Sequence, residues 1–184
     1  MNSLINICDD FKNKYGHISL DLGCGNYCTS EHVGIDNYIG VDIQVEGIAP
    51  SFIHDLNLPI PLPDGSVDAV FTSHFLEHSR LDFIIPEVAR LLKPGGSFTN
   101  RIPYASSAEG HYPGHNLFLT EKWFYESPLF NRHFSIERVV FVPSDEYSAL
   151  SDDVKQKFPF EFARTFFWQA CKEFTLYSIK HAGG

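Results

Sequence analysis

Residues 17–42, HISLDLGCGNYCTSEHVGIDNYIGVD, decide how this chain folds. His17 to Leu22 is a short apolar run that breaks at Gly23, and Tyr38 to Ile43 is a second, with β-branched residues bracketing Gly40. Runs of this kind read as buried strands. Where a strand passes into a turn, glycine lets the backbone approach a ligand that a side chain would exclude. The corner formed by Asp21, Leu22, Gly23, Cys24, Gly25 and Asn26 therefore suits a nucleotide-type ligand. A helix starting beyond it offers free N–H groups to a carboxylate, and Asp21 is placed to fix the loop or a ligand's ammonium. Asp42 ends the second strand 17 residues beyond Gly25, where a carboxylate accepts hydrogen bonds from both ribose hydroxyls. Asp36, 11 residues beyond Gly25, competes for that role if the first helix is very short. A dinucleotide fingerprint would place a third glycine at position 28. Cys28 stands there instead and disfavours nicotinamide or flavin.

Working outward, Leu4, Ile5, Ile7, Cys8 and Phe11 recur at helical spacing and predict an amphipathic helix over 2–14, ending near Gly16. Ser51 to Asp55 is a third strand. The proline-rich LNLPIPLPDGS then leads to a fourth at Val67 to Ser73, with Asp64, Gly65 and Ser66 turning the chain into it. Arg80 to Lys93 has helical apolar spacing, and Pro94, Gly95 and Gly96 stop it before a fifth strand at Ser97 to Ile102. Beyond Pro103 come a loop with glycine and histidine, a short helix over 120–125 that Thr120 is placed to cap, and strands at Phe134 to Val142 and Glu173 to Lys180. An aromatic-rich insert fills 144–169. Strand and helix alternate as in a parallel sheet with both faces covered.

A length of 184 residues with 43% hydrophobic content supports one core. A single domain is expected, with a cofactor half over about 15–103 and an acceptor-side half over about 104–184. The net charge of −9 opposes broad attraction to a phosphate backbone, so nucleic acid is a disfavoured substrate. The four cysteines lack paired CxxC spacing and read as buried thiols. No long apolar run and no secretory signal are present, so a cytoplasmic chain without membrane attachment is expected.

The blocks DLGCGN (21–26), YIGVDI (38–43), FIHDLNLPIPLPDGSVDAVFTSHFLEH (52–78) and EVARLLKPGG (87–96), in this order and spacing, resemble the small class I methyltransferases of the type 11 kind over residues 17–103. The resemblance implies an α/β, Rossmann-like three-layer sandwich. Its seven-stranded, mostly parallel sheet has order 3-2-1-4-5-7-6, with strand 7 antiparallel. It also implies S-adenosylmethionine as cofactor, bound across the carboxyl ends of the first strands, and S-adenosylhomocysteine as product. Asp55 and Leu56 would lie beside the adenine, and Ser73 and His74 near the methionine and the transferable methyl. The segment 26–37 departs from the family by being too short for the usual long first helix.

A sulfonium methyl is already activated, so the protein chiefly has to align the acceptor and exclude water. A hydroxyl acceptor gains from a nearby proton-accepting group. His115, His74, His78, His111 and Glu77 are the candidates, with His115 preferred. His74 and His78 are four residues apart, as are His111 and His115, so the two pairs can present imidazoles to a metal. The alternative is ordinary hydrogen bonding, and no resident metal is expected. Tyr104, Tyr112, Phe118, Trp123, Phe124 and Tyr125 can wall an acceptor pocket or equally be ordinary core and helix-face residues. The phenylalanines of 158–167 with Trp168 suggest a lid, a homodimer contact or core.

The expected function is methylation of a small-molecule or glycan-type acceptor, with oxygen slightly preferred over nitrogen as the accepting atom. The alternatives are a noncatalytic S-adenosylmethionine-binding sensor or partner subunit, and a NAD-dependent oxidoreductase.

Overall fold

The computed structural model describes residues 3–25, 39–42 and 52–182. Helix α1 (Leu4–Tyr15) begins after Ser3, whose hydroxyl accepts from the Asn6 N–H, and ends at Gly16, whose φ of +80° allows its N–H to reach the Lys12 carbonyl. Leu4 and Cys8, one turn apart, are its buried residues. Strand β1 (Ser19–Leu22) is buried at all four positions. It lies between β2 (Ile39–Asp42) and β4 (Val67–Ser73), both parallel to it, and β3 (Phe52–Ile53) extends the sheet beyond β2. The expected strand residues Tyr38, Ile43 and Ser51 lie outside the described residues, as do Asn26, Cys28 and Asp36.

Helix α2 (Leu81–Leu91) buries Leu81, Ile84, Ile85, Val88 and Leu91, the stripe expected of a helix covering a sheet. Its Glu87 and Arg90 fasten the proline-rich crossover. Ile60 N–H donates to Glu87 Oε1 at 2.7 Å, and Arg90 donates to the Ile60 and Leu62 carbonyls at 2.9 and 2.8 Å. Backbone groups that no strand pairs are thereby satisfied.

Strand β5 (Leu92–Pro103) begins five residues before its expected start. Leu92 already pairs with Val67, and the Pro94–Gly95–Gly96 run is absorbed where the register slips between Val67 and Ala69. Helices α3 (Glu121–Glu126) and α4 (Pro128–Asn131) lead into edge strand β6 (Phe134–Pro143). Thr120 precedes α3 as expected, but its side chain makes no capping hydrogen bond; its carbonyl accepts from Trp123 instead. The aromatic insert forms α5 (Asp145–Ser148), α6 (Asp152–Lys157) and α7 (Phe160–Phe166). Strand β7 (Cys171–Lys180) then inserts between β5 and β6, antiparallel to both.

The sheet order is β3-β2-β1-β4-β5-β7-β6, seven strands among the described residues, in the predicted sequence and with the predicted antiparallel strand. Because β7 runs backwards, its first residues lie beside the carboxyl ends of β5 and β6. Cys8, Cys24 and Cys171 are buried, and Cys8 and Cys171 are free thiols. Burial pushes the Cys8 thiol up to about 11 and that of Cys171 to about 12, so both stay protonated at neutral pH.

Candidate active site

The glycine corner follows β1. Gly23 and Gly25 have φ of +74° and +56°, a region that side chains disfavour. A β-carbon at Gly23 would collide with the Phe75 ring, whereas nothing among the described residues lies within 4 Å of one at Gly25. Gly23 N–H donates to the Val41 carbonyl at 2.9 Å, and Gly25 N–H to Asp42 Oδ2 at 2.8 Å. Asp42, at the end of β2, is thus joined to the corner that follows Asp21 on the neighbouring strand. Asp21 is 1% exposed, and its Oδ1 has no hydrogen-bond partner among the described residues. Burial and the negative charge of Asp42 push its carboxyl up to about 7. A buried acid short of partners beside a second acid is relieved by a cationic ligand group.

Asp55 and Leu56 follow β3. The Asp55 carboxylate accepts from the backbone and side-chain N–H groups of Asn57, both at 2.9 Å, and these bonds hold it below its ordinary value. Leu56 is half-buried and shares a small cavity with Phe75, His78 and Arg80. Ser73 closes β4. His74 then takes φ of +50°, rare for a residue with a β-carbon. Its N–H is held by the Arg101 carbonyl at 3.0 Å and its Nε2 by Glu173 Oε2 at 3.1 Å. Such a backbone state costs about 1–3 kcal/mol and persists only where surrounding contacts enforce it.

Beyond His74 a 3-10 turn, Leu76–His78, buries Glu77 to 1% exposure. Neither oxygen of its carboxylate has a hydrogen-bond partner on another of the described residues. His74 Nδ1 stands 3.7 Å from Glu77 Oε1 and His115 Nε2 3.9 Å from it. The His78 and His115 rings meet edge to face, with centroids 4.7 Å apart. The loop bearing His115 is fixed because the Asn116 and Leu117 N–H groups both donate to the Glu77 carbonyl, at 2.9 and 3.1 Å. Desolvation raises the Glu77 carboxyl above its ordinary value, although its own backbone N–H and the three imidazoles pull the other way.

The expected histidine pairing is corrected. His78 and His115 meet each other rather than their partners four residues away. His111 leaves the cluster, with Nδ1 at the Ser107 carbonyl and its ring against Phe118 and Trp168. The aromatic residues read as a pocket wall or as core divide between core and surface. Tyr104 and Phe124 are core residues, edge-on to Phe174, while Tyr112, Phe118 and Tyr125 are exposed.

Sequence reading missed Glu173 and Arg101. Arg101 donates from Nε and Nη2 to Glu173 Oε1, at 2.8 and 2.5 Å. Burial drives the Glu173 carboxyl upward, but the hydrogen bonds and charges of His74 and Arg101 overcome it and hold the group at about 2. The available signal was an acid at the head of a predicted strand, a place where a buried charge requires a partner.

Residues 20–99 match the family model described as a methyltransferase domain. That stretch carries the glycine corner, Asp42 and the Glu77 turn. Over that stretch the chain is similar to methyltransferase domains. The chain is similar in structure to an S-adenosylmethionine-dependent methyltransferase from Archaeoglobus fulgidus, with TM-score 0.65, 16% identity and coverage of 97% of this chain and 95% of that one. It is also similar to a geranyl diphosphate methyltransferase, with TM-score 0.60, 12% identity and coverage of 95% and 84%. A [4+2]-cyclase shares the fold too, with TM-score 0.62, 19% identity and coverage of 97% and 81%. None of the curated proteins matches the chain. At these identities the likeness concerns the fold, which hosts more than one chemistry. Among the described residues no helix is long and apolar enough to cross a membrane.

Proposed function

We propose that this chain, acting as a single cytoplasmic domain, methylates a hydroxyl of a small-molecule or glycan-type acceptor. The cofactor of the methyltransferase domain is S-adenosylmethionine, with S-adenosylhomocysteine left after transfer, and when bound it supplies an activated sulfonium methyl. The observation that carries the reading is the buried pair Asp21 and Asp42 beside Gly23 and Gly25. A buried acid oxygen without a partner among the described residues and two positive-φ glycines fit a ligand bearing an ammonium group and a ribose.

In this reading Asp42 accepts from the ribose hydroxyls and Asp21 balances the ammonium, while Gly23, Cys24 and Gly25 admit the ligand to the backbone. Asp55 and Leu56 flank the adenine, and Ser73 and His74 face the methionine end. Asn26 completes the corner, and Asp36 is the competing ribose acceptor. The family match favours the sulfur nucleoside over the nicotinamide alternative. On the acceptor side, His115, His74 and His78 around Glu77 are the groups that take the hydroxyl proton as the new bond forms.

Calorimetric titration with S-adenosylmethionine, S-adenosylhomocysteine and NAD tests the cofactor reading. The sulfur nucleosides should bind and NAD should not; the reverse order removes the reading. Asp42→Ala should weaken cofactor binding by about 1–3 kcal/mol through lost charged hydrogen bonds, and an unchanged affinity would move the ribose role to Asp36. Labelled methyl transfer to a panel of hydroxylated and aminated acceptors tests the chemistry. Binding without transfer to any of them would favour a sensor or partner subunit.

A further inference from the structure

The acceptor-side cluster has an excess of lone pairs. The Gly114 carbonyl can only accept, so His78 Nδ1, 3.0 Å away, carries the ring proton and Nε2 holds the lone pair. The Gly110 carbonyl fixes His115 in the same tautomer, 3.2 Å from its Nδ1, which leaves His115 Nε2 unprotonated and directed at Glu77. Glu173, ionised between Arg101 and His74, accepts from His74 Nε2 and leaves His74 Nδ1 as a further lone pair facing Glu77. Four acceptor groups therefore share one cluster: the Glu77 carboxylate and an unprotonated nitrogen on each of three imidazoles.

We propose that Glu77, His78 and His115 form a binding site for a divalent first-row transition cation of the zinc class. One ligand atom from each of the three lies within 4.8 Å of the others. Zinc with ligands at about 2.0–2.2 Å requires spacings of about 3.3 Å, so the cation draws the groups together by small side-chain rotations. Two imidazoles and one carboxylate are a donor set that zinc uses in open sites with a fourth position for water or substrate. An imidazole majority disfavours magnesium and calcium, which take oxygen ligands. Each proposed histidine ligand donates its remote N–H to a backbone carbonyl, the outer contact that orients metal-ligating histidines. Glu77 is buried and without a hydrogen-bond partner on another of the described residues, while His78 is exposed and opens the site to solvent. With a cation in place, His78 and His115 serve as ligands and the proton-accepting role falls to His74. The site itself does not depend on the methyl-transfer reading.

The test uses the full chain stripped with a chelator and titrated with Co2+ and then Zn2+. One Co2+ per chain should bind with the visible absorption of a four- or five-coordinate site, and one equivalent of Zn2+ should displace it. His78→Ala, at an exposed position that leaves the core intact, and His115→Ala should each weaken Zn2+ binding by at least about 10–100-fold. His111→Ala should leave it unchanged. Failure to take up stoichiometric metal at micromolar concentration overturns the proposal, as does uptake that His78→Ala and His115→Ala do not alter. S-adenosylmethionine affinity, measured on the same stripped sample, reports separately on the cofactor site.

Discussion

Glu77 and Glu173 are hidden to nearly the same degree, 1% and 3% exposed, and they flank the same imidazole. Their chemistry diverges because of what surrounds them. Glu173 accepts three hydrogen bonds, two from Arg101 and one from His74, and is held at about 2. Glu77 faces the other nitrogen of that imidazole and two more histidines, receives no hydrogen bond from another of the described residues, and is raised by desolvation. Burial alone thus sets neither charge state. A buried acid whose needs are met inside the protein stabilises the fold, and one whose needs are unmet is available to something from outside.

The comparison is broken most forcefully at its paired end. Glu173→Ala strands Arg101 and frees His74, and it should lower unfolding free energy by about 3 kcal/mol in urea titrations. The same group fixes an acid limb. Because its folded value lies below the unfolded value of about 4.5, its contribution is complete above that pH and is lost as pH falls from about 4.5 towards 2. Acid titration of the wild type should show this loss, and Glu173→Ala should flatten it.

At the unpaired end the sign reverses. Glu77→Gln supplies an amide donor to the facing lone pairs and removes a charge that burial opposes. Chelator-treated protein should gain about 1 kcal/mol of stability at neutral pH, and a loss would show that Glu77 is already satisfied. The smallest effect is expected at the shared residue. His74→Asn keeps a side chain that tolerates positive φ and removes one hydrogen bond to Glu173. Stability should fall by about 0.5–1.5 kcal/mol, read by thermal unfolding.

Particular residues show where the sequence was legible. The corner at Gly23 and Gly25 and the acid at the end of β2 could be read because a strand, a turn and a strand are local features. The apolar stripe of α2 was equally plain, since its period is a property of one helix. The order of the strands came from the resemblance of four blocks. The histidine pairs misled because i,i+4 spacing implies a shared face only on an α-helix. Residues 74–78 instead leave a strand through a positive φ and enter a 3-10 turn, while 111–115 cross a 3-10 turn and a loop. The Glu173–His74 contact joins positions 99 apart through an antiparallel strand, and no window along the chain contains it.

The Phe75 ring occupies the place a β-carbon at Gly23 would need, and Phe75 is two residues before Glu77. Positions 23 and 75 are consequently locked in tandem. A bulkier side chain at 23 would lever the turn beneath the histidines, and a reshaped residue at 75 would disturb the glycine corner. Inherited change at either position is filtered through the other, so recruiting this scaffold for a new acceptor would have to begin at neighbours that do not share the wedge.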